Sequence, residues 1–136
     1  MKDRGWVHLN INPENILLSG DGYFKVNNFG TSMVLESQEQ TLPDKVGQYQ
    51  SPEMSRKSIT GSFTDIYGLG ITLYALCQTN TPLSPTFNFQ QKILARELSI
   101  PILYSPTLHK LTASLLEPDY RHRPTVEEIL AIVGPL

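Results

Sequence analysis

The chain has 136 residues and a formal net charge of −2; 40% of its residues are hydrophobic and 18% charged. These totals fit one folded domain with a modest core and exclude general disorder. The single cysteine, Cys77, excludes an internal disulfide and a cysteine-built zinc site, and the lack of a basic patch argues against nucleic acid as a partner.

Met1 to Gly5 is polar and carries no signal-peptide core, and no apolar run is long enough to cross a bilayer. A soluble cytoplasmic protein without a membrane partner is therefore expected. Trp6 and Val7 predict a short strand. His8 to Asn15 is polar and rich in asparagine. Two apolar runs follow, Ile16 to Leu18 and Tyr23 to Val26, around the turn Ser19-Gly20-Asp21-Gly22. Gly and Asp supply the backbone freedom of a tight hairpin. That hairpin would bring His8–Asn15 close to a second polar segment, Asn27–Gly30. Thr31 to Lys45 has neither a helix nor a strand period and predicts a loop. Its hydroxyls, Thr31, Ser32, Ser37 and Thr41, are phosphate-acceptor candidates of the kind any loop offers.

Phe63 to Cys77 is apolar on nearly every face, through Ile66, Tyr67, Leu69, Ile71, Leu73, Tyr74 and Leu76, and predicts a buried helix. Cys77 within it reads as a buried, inert thiol. Asp65 either caps the start of this helix or is a buried carboxylate in need of donors. Thr79 to Asn88 predicts a loop, and Asn88 can cap a helix over Phe89–Leu98. Ser105-Pro106 predicts a helix start, with Leu108, Leu111, Leu115 and Leu116 on one face. Thr125 and Glu128 form a capping box for a last helix, whose Ile129, Leu130, Ile132 and Val133 are expected to face inward. His109 and His122 read as solvated, and no metal-ligand spacing links them with His8.

Several of these residues, in order and at nearly the right spacing, resemble the motifs of the eukaryotic protein kinases. His8-Leu9-Asn10 with Asn15 resembles the catalytic loop H-R-D…N, and Asn28-Phe29-Gly30 resembles D-F-G. Ser51-Pro52-Glu53 resembles A-P-E. Asp65 with Gly70 resembles the D-x-x-x-x-G of the family's central helix. Tyr104 to Leu130 and the phrase LYALCQTNTPL resemble the NIMA-related (Nek) kinases. The resemblance implies a mainly α fold with a short β-hairpin. It would be a partial α+β kinase fold, the C-terminal lobe, with the upper lobe and its glycine-rich phosphate loop expected to be absent. Residues 6–30 would be the catalytic-loop and hairpin region, 31–53 the activation segment and 54–136 the helical lobe of one partial domain, 1–136.

The resemblance also implies roles. His8 would pack on Phe29, Asp65 would accept backbone N–H groups of the catalytic loop, and Glu53 would pair with Arg123. Gly30 and Gly70 would be structural. Asn15 stands at the second metal-ligand position. Three positions depart from the family: Asn10 replaces the catalytic aspartate, Asn12 a lysine, and Asn28 the metal-holding aspartate. Leu9 replaces the arginine that clamps an activating phosphate. The Gly47–Pro52 stretch is about two residues short and lacks the threonine that helps seat a hydroxyl substrate.

These departures remove chemistry. An amide is no base near neutral pH, and general acid–base assistance is typically worth ~10²–10⁴-fold. Hard divalent cations favour carboxylates over a neutral amide oxygen. No intact catalytic residue is expected, and no cofactor for this chain alone; Mg-ATP would need an upper lobe. The leading expectation is a pseudokinase acting through protein binding or as a regulatory scaffold. Its partner would be an active kinase or a substrate protein, held at Phe89 and Gln90. A cytoskeletal association follows by family analogy. The alternatives are a fragment of a Nek-like serine/threonine kinase with ATP-dependent phosphotransfer, and a decayed, non-functional kinase fragment.

Overall fold

The computed structural model describes residues 5–34, 40–41, 51–57, 59–77 and 104–134. The expected Phe89–Leu98 helix, its cap Asn88, the Gly47–Gln50 stretch and Ser37 lie outside these residues. In chain order the elements are β1 (Trp6–Val7), β2 (Ile16–Leu18), β3 (Phe24–Val26), β4 (Met33–Val34), β5 (Gln40–Thr41), α1 (Pro52–Lys57), β6 (Ile59–Thr60), α2 (Ser62–Cys77), α3 (Pro106–Leu115) and α4 (Val126–Val133). Among the described residues the fold is mainly helical, with three small two-stranded antiparallel sheets, β1–β4, β2–β3 and β5–β6.

The hairpin pairs Ile16 with Val26, Leu17 with Lys25 and Leu18 with Phe24. Ser19 N–H donates to Tyr23 O at 2.8 Å and closes the turn, and Gly22 takes φ +86°, a region open to glycine without strain. Tyr23 belongs to this closure, so β3 starts one residue later than expected. The expected loop over Thr31–Lys45 is corrected at two places. Met33–Val34 pairs with β1, and Gln40–Thr41 pairs with β6. Strands of two residues are too short to show a period. Their partners, 26 and 20 positions away in sequence by the registers Val7–Met33 and Gln40–Thr60, stabilise them through non-local hydrogen bonds.

Helix α2 is the centre of the core. Tyr67 and Ile71 are fully buried, and Ile66 packs with Leu111 and Leu115 of α3 and Ile129 of α4. Gly70 sets how closely α3 approaches: a Cβ there would lie 2.9 Å from Leu115 Cβ and 2.9 Å from Leu116 Cγ. Ser105 Oγ accepts from Leu108 N–H and caps α3, with Pro106 in its first turn. Cys77 is buried, and burial pushes its thiol up, which keeps it a poor nucleophile.

Helix α4 carries the capping box, with Glu128 N–H donating to Thr125 Oγ1 and Thr125 N–H to Glu128 Oε2. Its inward face is narrower than expected. Ile129 is buried, whereas Leu130, Ile132 and Val133 are half-exposed. At 100° per residue the four span an arc of about 160°, and only Ile129 reaches the seam between α2 and α3.

Ser51 is buried, and its Oγ has no hydrogen-bond partner among the described residues. A buried hydroxyl without a partner costs ~1–3 kcal/mol. Ser51→Ala removes that cost for one small atom, so the variant is expected to be stabilised by about 1 kcal/mol, read as a higher midpoint in urea denaturation. A midpoint at or below that of the parent chain would contradict this account.

Candidate functional site

The site grows from the first turn of α2. Asp65 does not cap that helix. Its Oδ2 accepts from His8 N–H at 2.7 Å and its Oδ1 from Leu9 N–H at 2.8 Å. Burial pushes the Asp65 carboxyl up, while the His8 and Leu9 N–H donors pull it back down. The two bonds hold Leu9 at φ +68°, a left-handed conformation that disfavours a residue with a side chain. Asn28 also sits there, at φ +62°.

His8 is completely buried and joins the two polar segments. Asn10 N–H donates to His8 Nδ1 at 3.1 Å, so Nδ1 carries no proton; Nε2 then holds the ring proton and donates it to Asn27 O at 2.9 Å. The Phe29 ring meets the His8 ring edge to face at 5.0 Å between centroids. Asn27 N–H donates to Asn15 O at 2.8 Å, at the base of the hairpin. Residues 8–15 and 27–30 thus form one unit. Asn27, which no motif singled out, is central to it through its backbone alone.

Within the loop, Asn12 and Asn15 are buried, Asn10 is partly buried and Asn28 is exposed. Asn12 Nδ2 donates to Asn10 Oδ1 at 2.9 Å and to Asn10 O at 3.2 Å, and Asn12 Oδ1 accepts from Glu14 N–H at 2.9 Å. Asn15 Nδ2 donates to Asn10 O at 2.8 Å. The Asn28 side chain caps nothing. A Cβ at Gly30 would stand 3.6 Å from Asn28 Oδ1, an ordinary contact.

A second contact pins the loop to α2. A Cβ on Gly68 would fall 2.5 Å from Ile11 O and 2.8 Å from Ile11 Cβ. Its glycine within the Tyr-Gly-Leu-Gly run was the only sequence signal, and nothing in the chain pointed to Ile11 as the neighbour. Gly68→Ala must push backbone away, and overpacking of this kind typically costs ~1–3 kcal/mol. The variant is expected to unfold at lower urea and to show shifted amide resonances at residues 8–15; an unshifted loop would contradict the contact.

Glu53 and Arg123 form a buried fork. Arg123 donates from Nη1 to Glu53 Oε1 and from Nη2 to Glu53 Oε2, both at 2.8 Å. Arg123 also donates to the backbone oxygens of Glu117 and Phe63, at 2.8 Å each, and lies over the Tyr67 ring. Thr60 hydroxyl donates to Thr64 Oγ1, and Thr64 hydroxyl to Glu53 Oε1. These two threonines were not expected in the network. Of the loop hydroxyls considered as phosphate acceptors, Ser32 has a buried Oγ, which removes it from reach of a modifying enzyme. His122 is exposed and His109 half-buried. Phe89 and Gln90 lie outside the described residues.

The protein kinase domain model matches residues 1–132 of this sequence. The chain belongs to the protein kinase family. It is 33% identical over 132 residues to human serine/threonine-protein kinase Nek2, an alignment covering 91% of this chain and 29% of that protein. It is 31% identical over 134 residues to CBL-interacting serine/threonine-protein kinase 20 of Arabidopsis thaliana, covering 93% of this chain and 30% of that protein. It is 33% identical over 139 residues to human putative 3-phosphoinositide-dependent protein kinase 2, covering 98% and 35%. The Nek2 match supports the Nek-like relation. The chain spans about a third of the length of these relatives.

Complete kinases use Mg²⁺ at the two positions occupied here by Asn15 and Asn28. The donors do not fit that ion well. Both are neutral amides; with its Nδ2 committed to Asn10 O, Asn15 keeps only its uncharged Oδ1 as a donor to a metal. A hard cation is held by carboxylate charge, which this pair does not supply. Among the described residues no group of three or more His, Cys, Asp and Glu side chains is placed to hold a metal, and no helix is long and apolar enough to cross a membrane.

Proposed function

We propose that this chain is a catalytically impaired protein-kinase-like domain that acts by binding protein, as a regulatory scaffold. One observation carries the reading. The catalytic loop is built and anchored at Asp65, Gly68 and the hairpin base, yet asparagine stands at positions 10, 12 and 28. The scaffold is kept while the base, the cation facing the phosphate and the metal charge are gone. Phosphoryl transfer depends almost wholly on such positioning and charge. The partner is an active kinase or one of its substrates, and Phe89 and Gln90 are the proposed contact residues.

The purified chain, incubated with radiolabelled ATP, Mg²⁺ and a generic acceptor protein, is expected to transfer no more label than its Asn15→Ala variant. Label transfer lost in that variant would overturn the reading in favour of a Nek-like kinase fragment.

A further inference from the structure

The three amides of the loop are not interchangeable, because their hydrogen bonds have forced directions. Glu14 N–H is a donor only, so the Asn12 atom facing it at 2.9 Å is the carbonyl, Oδ1. The other Asn12 atom is then Nδ2, which also fits its contact with Asn10 O, an acceptor only. This Nδ2 lies 2.9 Å from the Asn10 side chain, and a donor requires an acceptor there. The Asn10 atom turned to Asn12 is therefore Oδ1. The Asn10 Nδ2 group is left pointing away from Asn12, with no hydrogen bond among the described residues. Asn15 cannot compensate, since its own Nδ2 is committed to Asn10 O at 2.8 Å.

We infer that Asn12 is a positioning residue that turns position 10 into a hydrogen-bond donor, so that the loop meets a neutral acceptor, a carbonyl or hydroxyl oxygen of a partner's peptide chain. A catalytic aspartate in the same place would instead accept a proton from its substrate. Charge selects the neutral acceptor over an anion. Residues 8–15 and 27–30 contain no lysine or arginine, the His8 ring is neutral by its hydrogen bonds, and Glu14 is the one formal charge. A phosphate or carboxylate would find donors but no counter-charge. The inference names the ligand chemistry of the binding role proposed above and rests on that reading.

The test is nuclear magnetic resonance of the ¹⁵N-labelled full chain, read at the side-chain NH₂ groups. In the parent chain the Asn12 NH₂ is expected to exchange with solvent about tenfold more slowly than the Asn10 NH₂, the effect of one net hydrogen bond. Equal exchange, or the reverse order, overturns the assignment without any variant. Asn12→Asp keeps the shape and the acceptor for Glu14 N–H but offers a second acceptor to Asn10. The Asn10 amide is then expected to turn, and its NH₂ exchange to slow by about tenfold. A folded variant in which that exchange is unchanged overturns the positioning role. N-methylacetamide, a neutral carbonyl, is expected to shift the Asn10 NH₂ resonance of the parent chain and not of the variant. A shift with inorganic phosphate alone, or with neither probe, overturns the neutral-acceptor assignment. Label transfer from ATP would instead overturn the proposed function and leave the exchange results standing, so the two failures are distinct.

Discussion

Arg123→Met is expected to destabilise this fold by ~3–5 kcal/mol, the range for breaking a buried ion pair from one side. The variant leaves the Glu53 carboxylate buried with one side-chain donor, the Thr64 hydroxyl at 3.3 Å. It also frees the backbone oxygens of Glu117 and Phe63 and removes the cation from the Tyr67 ring. Glu53→Gln is expected to cost less, because the amide oxygen still accepts one Arg123 N–H. The double variant Glu53→Leu with Arg123→Met is expected to recover a large part of the loss, since desolvation of both charges is then avoided. Urea denaturation of the four chains checks this. A double variant no more stable than Arg123→Met alone would show that the pair contributes more than it costs to bury.

Asp65→Ala is expected to cost ~3–5 kcal/mol, because two charge-assisted hydrogen bonds are lost and two backbone N–H groups lose their acceptor. The effect is also expected to be local. Leu9 at φ +68° is held by this carboxylate, and a left-handed residue with a side chain is disfavoured by roughly 1–2 kcal/mol. Release of that strain moves His8, and with it the contacts to Asn27 O and Phe29. Hydrogen exchange at the amides of His8, Leu9 and Asn10 is the measurement. Protection lost there before the helical core opens supports Asp65 as the anchor; uniform loss across the chain would reduce it to a general contributor to stability. Asp65→Asn keeps one acceptor and is expected to fall between.

The two predictions concern different joints of one molecule. The Glu53–Arg123 fork ties α1 to the turn before α4, 70 residues apart in sequence. Asp65 ties α2 to the loop before β2, 57 residues apart from His8. Helix α2 takes part in both, through Tyr67 under the guanidinium and Asp65 at its first turn. An all-round apolar helix is suited to this, because each face has a different layer to meet.

What was legible in the sequence was what depends on neighbours in the chain. The turn Ser19–Gly22, the cap at Ser105 and the Thr125–Glu128 box are set by residues within four positions of one another, and the structure makes each of them. The apolar run of α2 announced burial on every side; Tyr67 and Ile71 are fully buried, but Leu76 in its last turn is 61% exposed among the described residues. Asparagine at positions 10, 12 and 28 was plain from the residues themselves, and it alone decides that the site lacks carboxylate charge there. Tertiary structure decided the rest. Which face of α4 is covered depends on where α2 and α3 end, so Leu130, Ile132 and Val133 are half-exposed despite their pattern. The strands at Met33–Val34 and Gln40–Thr41 exist only because distant partners supply their hydrogen bonds. The direction of the Asn10 amide also lay beyond sequence, for an amide has two nearly isosteric ends. Only the donors and acceptors that folding places around it determine which end faces out.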